Sequence, residues 1–423
     1  MTERKSILST PISRRSFGKG VGLAAAGTLA GAVTPFNIVR AQGGPLKIGL
    51  LLPRSGIQAG LGQSCYRGAE IAPGLLKEMG FNFPIEIMSA DTESNVDVAR
   101  SRAEKLIADG AQMLVGAFDS GQTNAIAQVA EQKGVPHVIN IGADPKTTQQ
   151  GYKFVFRVFL TAPQLITNGL ALFKDLFAAT KTVPKTAVFM HVNDTFGQAI
   201  HGAVNAIAPR VGLPFKILDT ISYDPAARDL SVEVAKAKGT GAELLMLVSR
   251  LNDGILLVRE MVKQRWEPMG IMSPGSPGMY DEPFLKSLGK YSEYCISNVP
   301  WFNPKAPLTG TILKHFKAKY PNDVADFHLL NLGYTFEAIL VCADAYKRAG
   351  STNGTALAEA LRKTKITQRA MVGGPIEFDA NGQNNSNKSA CVQNRNGVPT
   401  VVLPADAAVM APVFPMPGWA SRT

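Results

Sequence analysis

Cysteine is scarce. The 423-residue chain has four, Cys65, Cys295, Cys342 and Cys391, and none stands in a C-x-x-C pair. That spacing excludes a thioredoxin-like redox motif and a zinc ribbon. Each cysteine lies in or beside an apolar segment, where a buried free thiol is the expectation. Charge is also sparse, at 18% of residues, and the formal net charge of +11 first suggests a nucleic-acid partner. Residues 1–41, however, hold Arg4, Lys5, Arg14, Arg15, Lys19 and Arg40 against Glu3, which leaves +6 for the remainder. Those remaining cations form no dense run, so they read as a solvated surface and nucleic acid drops out. The five histidines lack ligand spacing, and there is no H-E-x-x-H, no G-x-S-x-G elbow and no P-loop. The expectation is a non-enzyme with no metal and no cofactor. After residue 41 no run is long and apolar enough to span a bilayer.

What is present begins with a targeting segment. Ser13-Arg14-Arg15-Ser16-Phe17-Gly18-Lys19 fits the twin-arginine export pattern S-R-R-x-F-x-K. A Gly/Ala-rich stretch follows over 20–39, and Val39 and Ala41 are small residues at −3 and −1 for cleavage before Gln42. Pro35 and Asn37 interrupt the stretch and weigh against a membrane anchor. The mature protein is expected to be soluble and periplasmic.

The mature chain is organised around residues 111–144. Residues 112–116 read as a short buried strand, 117–121 as a turn-rich loop, 122–133 as a helix stopped by Gly134, and 136–139 as a second strand. Strand, loop, helix, strand is a parallel βαβ unit, and the crossover rule brings its two loops to one sheet edge. Open α/β folds bind ligands at that edge. Both loops carry small polar residues: Asp119, Ser120 and Gly121, then Asn140, Gly142 and Ala143. Residues 45–144 as a whole predict β-α-β-α-β-α-β. The glycine spacing after the first strand, G-x-x-x-G-x-G at Gly56, Gly60 and Gly62, is not a dinucleotide fingerprint. The pattern restarts over 163–278, which predicts a second doubly wound sheet. Residues 374–379 read as a strand, 390–403 as a hairpin around Asn396-Gly397, and the Pro-rich segment 405–423 as a loosely attached tail.

In this order the motifs resemble those of the branched-chain amino acid type of ABC-transporter substrate-binding protein. The matching passages are Lys47-Ile48-Gly49-Leu50-Leu51-Leu52-Pro53, Arg67-Gly68-Ala69-Glu70, Val115-Gly116 through Ser120-Gly121, Gly134-Val135-Pro136, Asn193-Asp194-Thr195-Phe196-Gly197, and Gly333-Tyr334 before Ala349-Gly350. The resemblance covers residues 46–404. It implies a type I periplasmic binding fold: two doubly wound, Rossmann-like lobes joined by hinge strands, with ligand trapped between them. Lobe 1 is expected over 45–160 plus 298–387 and lobe 2 over 161–297 plus 388–404, with crossings near Leu160, Ser297 and Asn387. The implied partners are a small-molecule ligand and an inner-membrane permease, and the implied state is a monomer. A ligand-sensing receptor lobe shares the fold and stays open as an alternative.

The resemblance also places ligand contacts. In the first lobe they fall on Leu61, on Asp119 and Ser120, and on the carboxylate-binding loop Asn140, Gly142, Ala143 and Asp144. In the second lobe they fall on Phe196 and on Arg250 or Ser249. Gly275 departs from the family pattern, since amino-acid binders place a carboxylate near there for the α-ammonium. Burying an ammonium without such a partner costs several kcal/mol. Arg250 offers a bidentate donor for a carboxylate, and Leu61, Phe196 and Trp301 or Phe302 offer apolar walls. The expected ligand is an aromatic or other organic acid. The alternative is an amino acid whose ammonium is received by Asp119 or Asp144.

Overall fold

The computed structural model describes residues 44–422, apart from 305 and 406; the expected leader lies outside them. The first lobe opens with β1 (Leu46–Leu52), α1 (Ala59–Glu78), β2 (Ile85–Asp91), α2 (Val96–Ala108), β3 (Met113–Gly116), α3 (Ser120–Lys133), β4 (His137–Ile139) and β5 (Val155–Arg157). Its strands form one parallel sheet in the order β2-β1-β3-β4-β5. The centre of β1 is fully buried, which is why Leu46 to Leu52 read as a continuous apolar run instead of an alternating one.

The second lobe contributes α4 (Ala162–Thr180), β6 (Thr186–Val192), α5 (Thr195–Val211), β7 (Lys216–Tyr223), α6 (Ser231–Gly239), β8 (Leu244–Val248), α7 (Leu251–Lys263), β9 (Gly270–Ser273), α8 (Glu282–Leu288) and β10 (Ile296–Pro300). The chain then returns to the first lobe with α9 (Pro307–Lys319), α10 (Leu329–Ala349) and α11 (Gly354–Arg362), and ends with β11 (Ser389–Arg395) and β12 (Val398–Leu403). The second sheet runs β12-β11-β10-β9-β8-β6-β7, parallel except for the antiparallel pairs β12-β11 and β11-β10. Helix α10 is buried along nearly its whole length against α1 and the first sheet. The two helices approach closely because α1 has a glycine at the crossing: a Cβ on Gly68 would lie 2.3 Å from the Leu332 carbonyl oxygen.

Where the chain passes between lobes, its segments bond to one another. The Asn387 side chain donates to the Val158 carbonyl at 2.6 Å, and Gln383 Nε2 donates to the Phe159 carbonyl at 2.7 Å. The Val372 N–H reaches the Trp301 carbonyl at 2.9 Å. Buried Arg369 pairs with fully buried Glu337 of α10 and also donates to Asn387, which ties these passages to the first-lobe core.

Two expectations are corrected. Residues 374–379 are not a regular strand; they pair through the isolated bridges Ile366–Ile376 and Phe378–Asn384, because the segment wraps across the passages between lobes. The C-terminal segment is not loose. Phe414, Met416 and Trp419 are buried, Trp419 Nε1 donates to the Trp266 carbonyl at 3.0 Å, and the Arg422 guanidinium lies 3.9 Å over the Trp419 ring. Its apolar side chains, spaced between prolines, are what dock it. All four cysteines are buried and unpaired, and burial pushes the Cys65 and Cys295 thiols up to about 12. Among the described residues no helix is long and apolar enough to cross a membrane.

Candidate functional site

The C-terminal strand edges of the two sheets face one another, and helices α3 and α5 begin there. Asp119 caps α3, its Oδ1 accepting from the Gln122 N–H at 3.0 Å; Asp194 caps α5, its Oδ1 accepting from the Gly197 N–H at 2.7 Å. The facing edges thus bring two capped helix starts and two carboxylates together. Arg250, at the start of α7, stands between them. Its Nη2 donates to Asp119 Oδ2 at 2.9 Å and to Asp194 Oδ2 at 2.8 Å, and its Nε donates to Asp194 Oδ2 at 3.1 Å. Burial pulls the guanidinium's pKa down, but Asp194 and Asp119 more than offset this and hold it above its ordinary value. The Phe196 and Phe118 ring centroids lie 4.6 and 5.6 Å from its central carbon. The backbone beneath is fixed by Asp253, which accepts from the Arg250 N–H at 3.0 Å and from the Tyr223 hydroxyl at 2.7 Å.

Beside this cluster is a small, mostly apolar cavity. Rings of Phe118, Phe159, Phe196 and Tyr280 and the aliphatic side chains of Ile141, Leu165, Val299 and Leu330 make its walls. Arg250 and Asn331 bring the polar groups beside the Tyr280 hydroxyl, and no lining residue is acidic.

Of the residues singled out in the sequence, Ala143, Phe196, Arg250 and Gly275 line this cavity, and Asp119 is joined to it through Arg250. The others do not. Leu61 is buried in the core face of α1. The loop expected to present N–H groups to a carboxylate spends them internally: the Ala143 N–H donates to Ser120 Oγ at 3.1 Å and the Gly142 N–H to the Ala117 carbonyl at 3.3 Å. Asn140 Nδ2 donates to Thr335 Oγ1, and Asp144 accepts from Asn124 Nδ2 and the Lys146 N–H. The Ser249 N–H donates to Ser276 Oγ. Trp301 stands behind the cavity wall, edge-on to Tyr280 at 5.4 Å, and Phe302 bridges to Met371.

Gly275 lacks a carboxylate for a steric reason. Its φ is +154°, and a Cβ there would lie 3.0 Å from the Leu165 Cβ. Gly275→Glu is therefore expected to lower the melting temperature by several degrees without creating leucine binding. A variant of parental stability that gains a leucine-induced shift would sink this steric reading.

Asp281 follows Tyr280 and precedes α8. Its Oδ2 is buried without a partner among the described residues, and burial raises its pKa to about 8 although the Gly278 backbone lowers it somewhat. An acid whose pKa is raised on folding stabilises the fold fully below its unfolded pKa, about 4, and that contribution is lost as pH rises towards 8. Asp281→Asn should gain stability over the parent progressively from pH 5 to pH 8. His137 and His328, held down at about 4 chiefly by burial, tilt both curves the other way between pH 4 and 6.5 and cancel in the difference. A melting-temperature difference that is flat with pH would contradict this.

Sequence reasoning missed Phe118, Tyr280 and Asn331. The first lies inside a loop already marked, and Asn331 carried a usable signal: it is the polar residue in the apolar run Leu329-Leu330-Asn331-Leu332.

The comparisons agree with this architecture. A sequence model described as periplasmic binding protein matches residues 45–397. The Leu/Ile/Val-binding protein homolog 8 of Brucella melitensis is 23% identical over 415 residues, 94% of this chain and 98% of that protein. The leucine-binding protein LivK of Thermotoga maritima superposes with a TM-score of 0.72 at 21% identity, over 84% of this chain and 97% of that one. A solute-binding protein of an ABC transporter from R. palustris, in complex with benzoate, gives 0.70 at 17% identity, over 87% and 99%.

Proposed function

The chain belongs to the periplasmic binding protein family, and from that premise we propose that it is the solute-binding component of an ABC-type uptake system whose ligand is a small acid with an aromatic or otherwise apolar body. The observation that carries the ligand class is Arg250, the cation at a cavity whose walls are mainly aromatic and aliphatic and include no carboxylate. No hydrogen bond to its Nη1 is formed among the described residues, so that nitrogen is free for a guest carboxylate. An α-ammonium has no such partner. Asp119 Oδ2 is taken by Arg250 and Gln58, and Asp144 by Asn124 and its own turn.

The second reading is a branched-chain amino acid, supported by the names of the relatives; it requires Asp119 to release Arg250. Neighbours named for leucine and holding benzoate share the fold, so fold does not choose between them. In either reading lobe 1 is 45–160 plus 298–387 and lobe 2 is 161–297 plus 388–404. The passages near Leu160, Ser297 and Asn387 are the hinge, and the closed monomer docks on a permease.

A thermal-shift screen of the mature protein tests this, comparing benzoate-type, phenylpropenoid and short aliphatic acids with leucine, isoleucine and valine. The acid reading expects shifts with one or more acids and none with amino acids; the reverse pattern overturns it. Co-purification with a membrane kinase instead of a permease would reassign the protein as a sensor.

A further inference from the structure

Asn331 is buried to 0% exposure and lines the cavity, yet neither its Oδ1 nor its Nδ2 has a partner among the described residues. Other buried amides of the chain keep one end bonded. Asn140 Nδ2 reaches Thr335, and Asn298 Nδ2 reaches the Gly169 carbonyl. A buried amide with both ends unpaired is costly and rare in native proteins, and at a cavity wall it points to a guest that completes it.

A second observation falls on the same turn. Asn331 lies in the first turn of the 21-residue helix α10, where the cap residue His328 makes no side-chain capping bond. An uncapped helix start favours an electron-rich oxygen placed against it.

We infer that Asn331, in the first turn of α10, is a second polar anchor of the site and receives a hydroxyl group carried on the ligand's apolar body. A hydroxyl oxygen accepts from Nδ2 while its hydrogen goes to Oδ1. A second carboxylate lacks the proton that Oδ1 needs, and a plain hydrocarbon body leaves both atoms dry. The ligand class is thereby narrowed to hydroxylated acids, a conclusion that rests on the acid reading above. Asn331 stands on the first lobe and Arg250 on the second, so a guest holding both draws the lobes together.

The experiment is calorimetric titration of the mature protein and of Asn331→Leu with benzoate, 3-hydroxybenzoate and 4-hydroxybenzoate, together with the ligand-free melting temperature of each. At least one hydroxy acid is expected to bind the parent about tenfold or more tighter than benzoate, and Asn331→Leu should erase that preference by weakening the hydroxy acid alone. The ligand-free variant should melt about 1–3 °C higher, because leucine removes an unpaired buried amide. Equal affinities in the parent, or a preference that survives in the variant, overturn the Asn331 assignment and leave the acid reading standing. If no acid binds, the acid reading falls, and the melting temperature decides the anchor by itself: a rise keeps Asn331 as a polar group waiting for a guest, a fall makes it structural and overturns the inference.

Discussion

Arg250→Met should lose all acid-induced thermal shift and destabilise the closed form by about 3–5 kcal/mol, the cost of leaving a buried charge without its partner. The reason lies in what remains. Asp119 and Asp194 both direct an Oδ2 at the missing guanidinium, one from each lobe, and neither has another ion-pair partner among the described residues. The variant should therefore open, read as a larger radius of gyration by small-angle scattering. Adding Asp119→Asn and Asp194→Asn keeps both helix caps, since asparagine caps as well as aspartate. That triple variant should recover most of the stability and none of the binding. If Arg250→Met stays closed and still responds to acids, Arg250 is neither latch nor ligand contact.

The second large effect is expected at Glu337. Its carboxylate accepts from Arg369 Nε at 3.1 Å, from Arg369 Nη2 at 2.6 Å and from the N–H groups of Ala370 and Met371 at 3.1 and 3.2 Å. Glu337→Gln keeps the shape but leaves the buried Arg369 without its counter-charge, again about 3–5 kcal/mol. We expect the melting temperature to fall by about 5–10 °C. The double variant Glu337→Leu with Arg369→Met should recover most of the loss, because well-packed apolar replacements of buried pairs are often neutral. A single variant melting within a degree of the parent would mean that solvent reaches Arg369.

Much of the fold was legible because its strands are buried on both faces and read as short apolar runs, while glycines such as Gly134, at a φ of 65°, stop the helices between them. The two loops at 117–121 and 140–144 were legible as converging for the same topological reason, and Phe118, Ile141 and Ala143 from them do line the cavity. What could not be read is where their hydrogen bonds go. Ser120 takes the Ala143 N–H across two loops, a closure that needs both helix and strand placed. Arg250 was legible as a cation at the site, but not its partners, since Asp119 lies 131 residues away. The docked tail escaped because proline-rich composition hides three aromatic or methionine side chains that only tertiary packing uses.

The buried thiols have a practical consequence. Cys65 and Cys295 are held far above the range in which a thiolate forms at neutral pH, and Cys342 and Cys391 are equally enclosed. Maleimide chemistry on the folded protein should therefore be silent without removing any native cysteine. Asn252 is exposed on the cleft rim and donates from one lobe to the Ile57 carbonyl of the other at 3.1 Å. A single cysteine introduced there and coupled to an environment-sensitive fluorophore would turn the unaltered scaffold into an optical reporter of lobe closure.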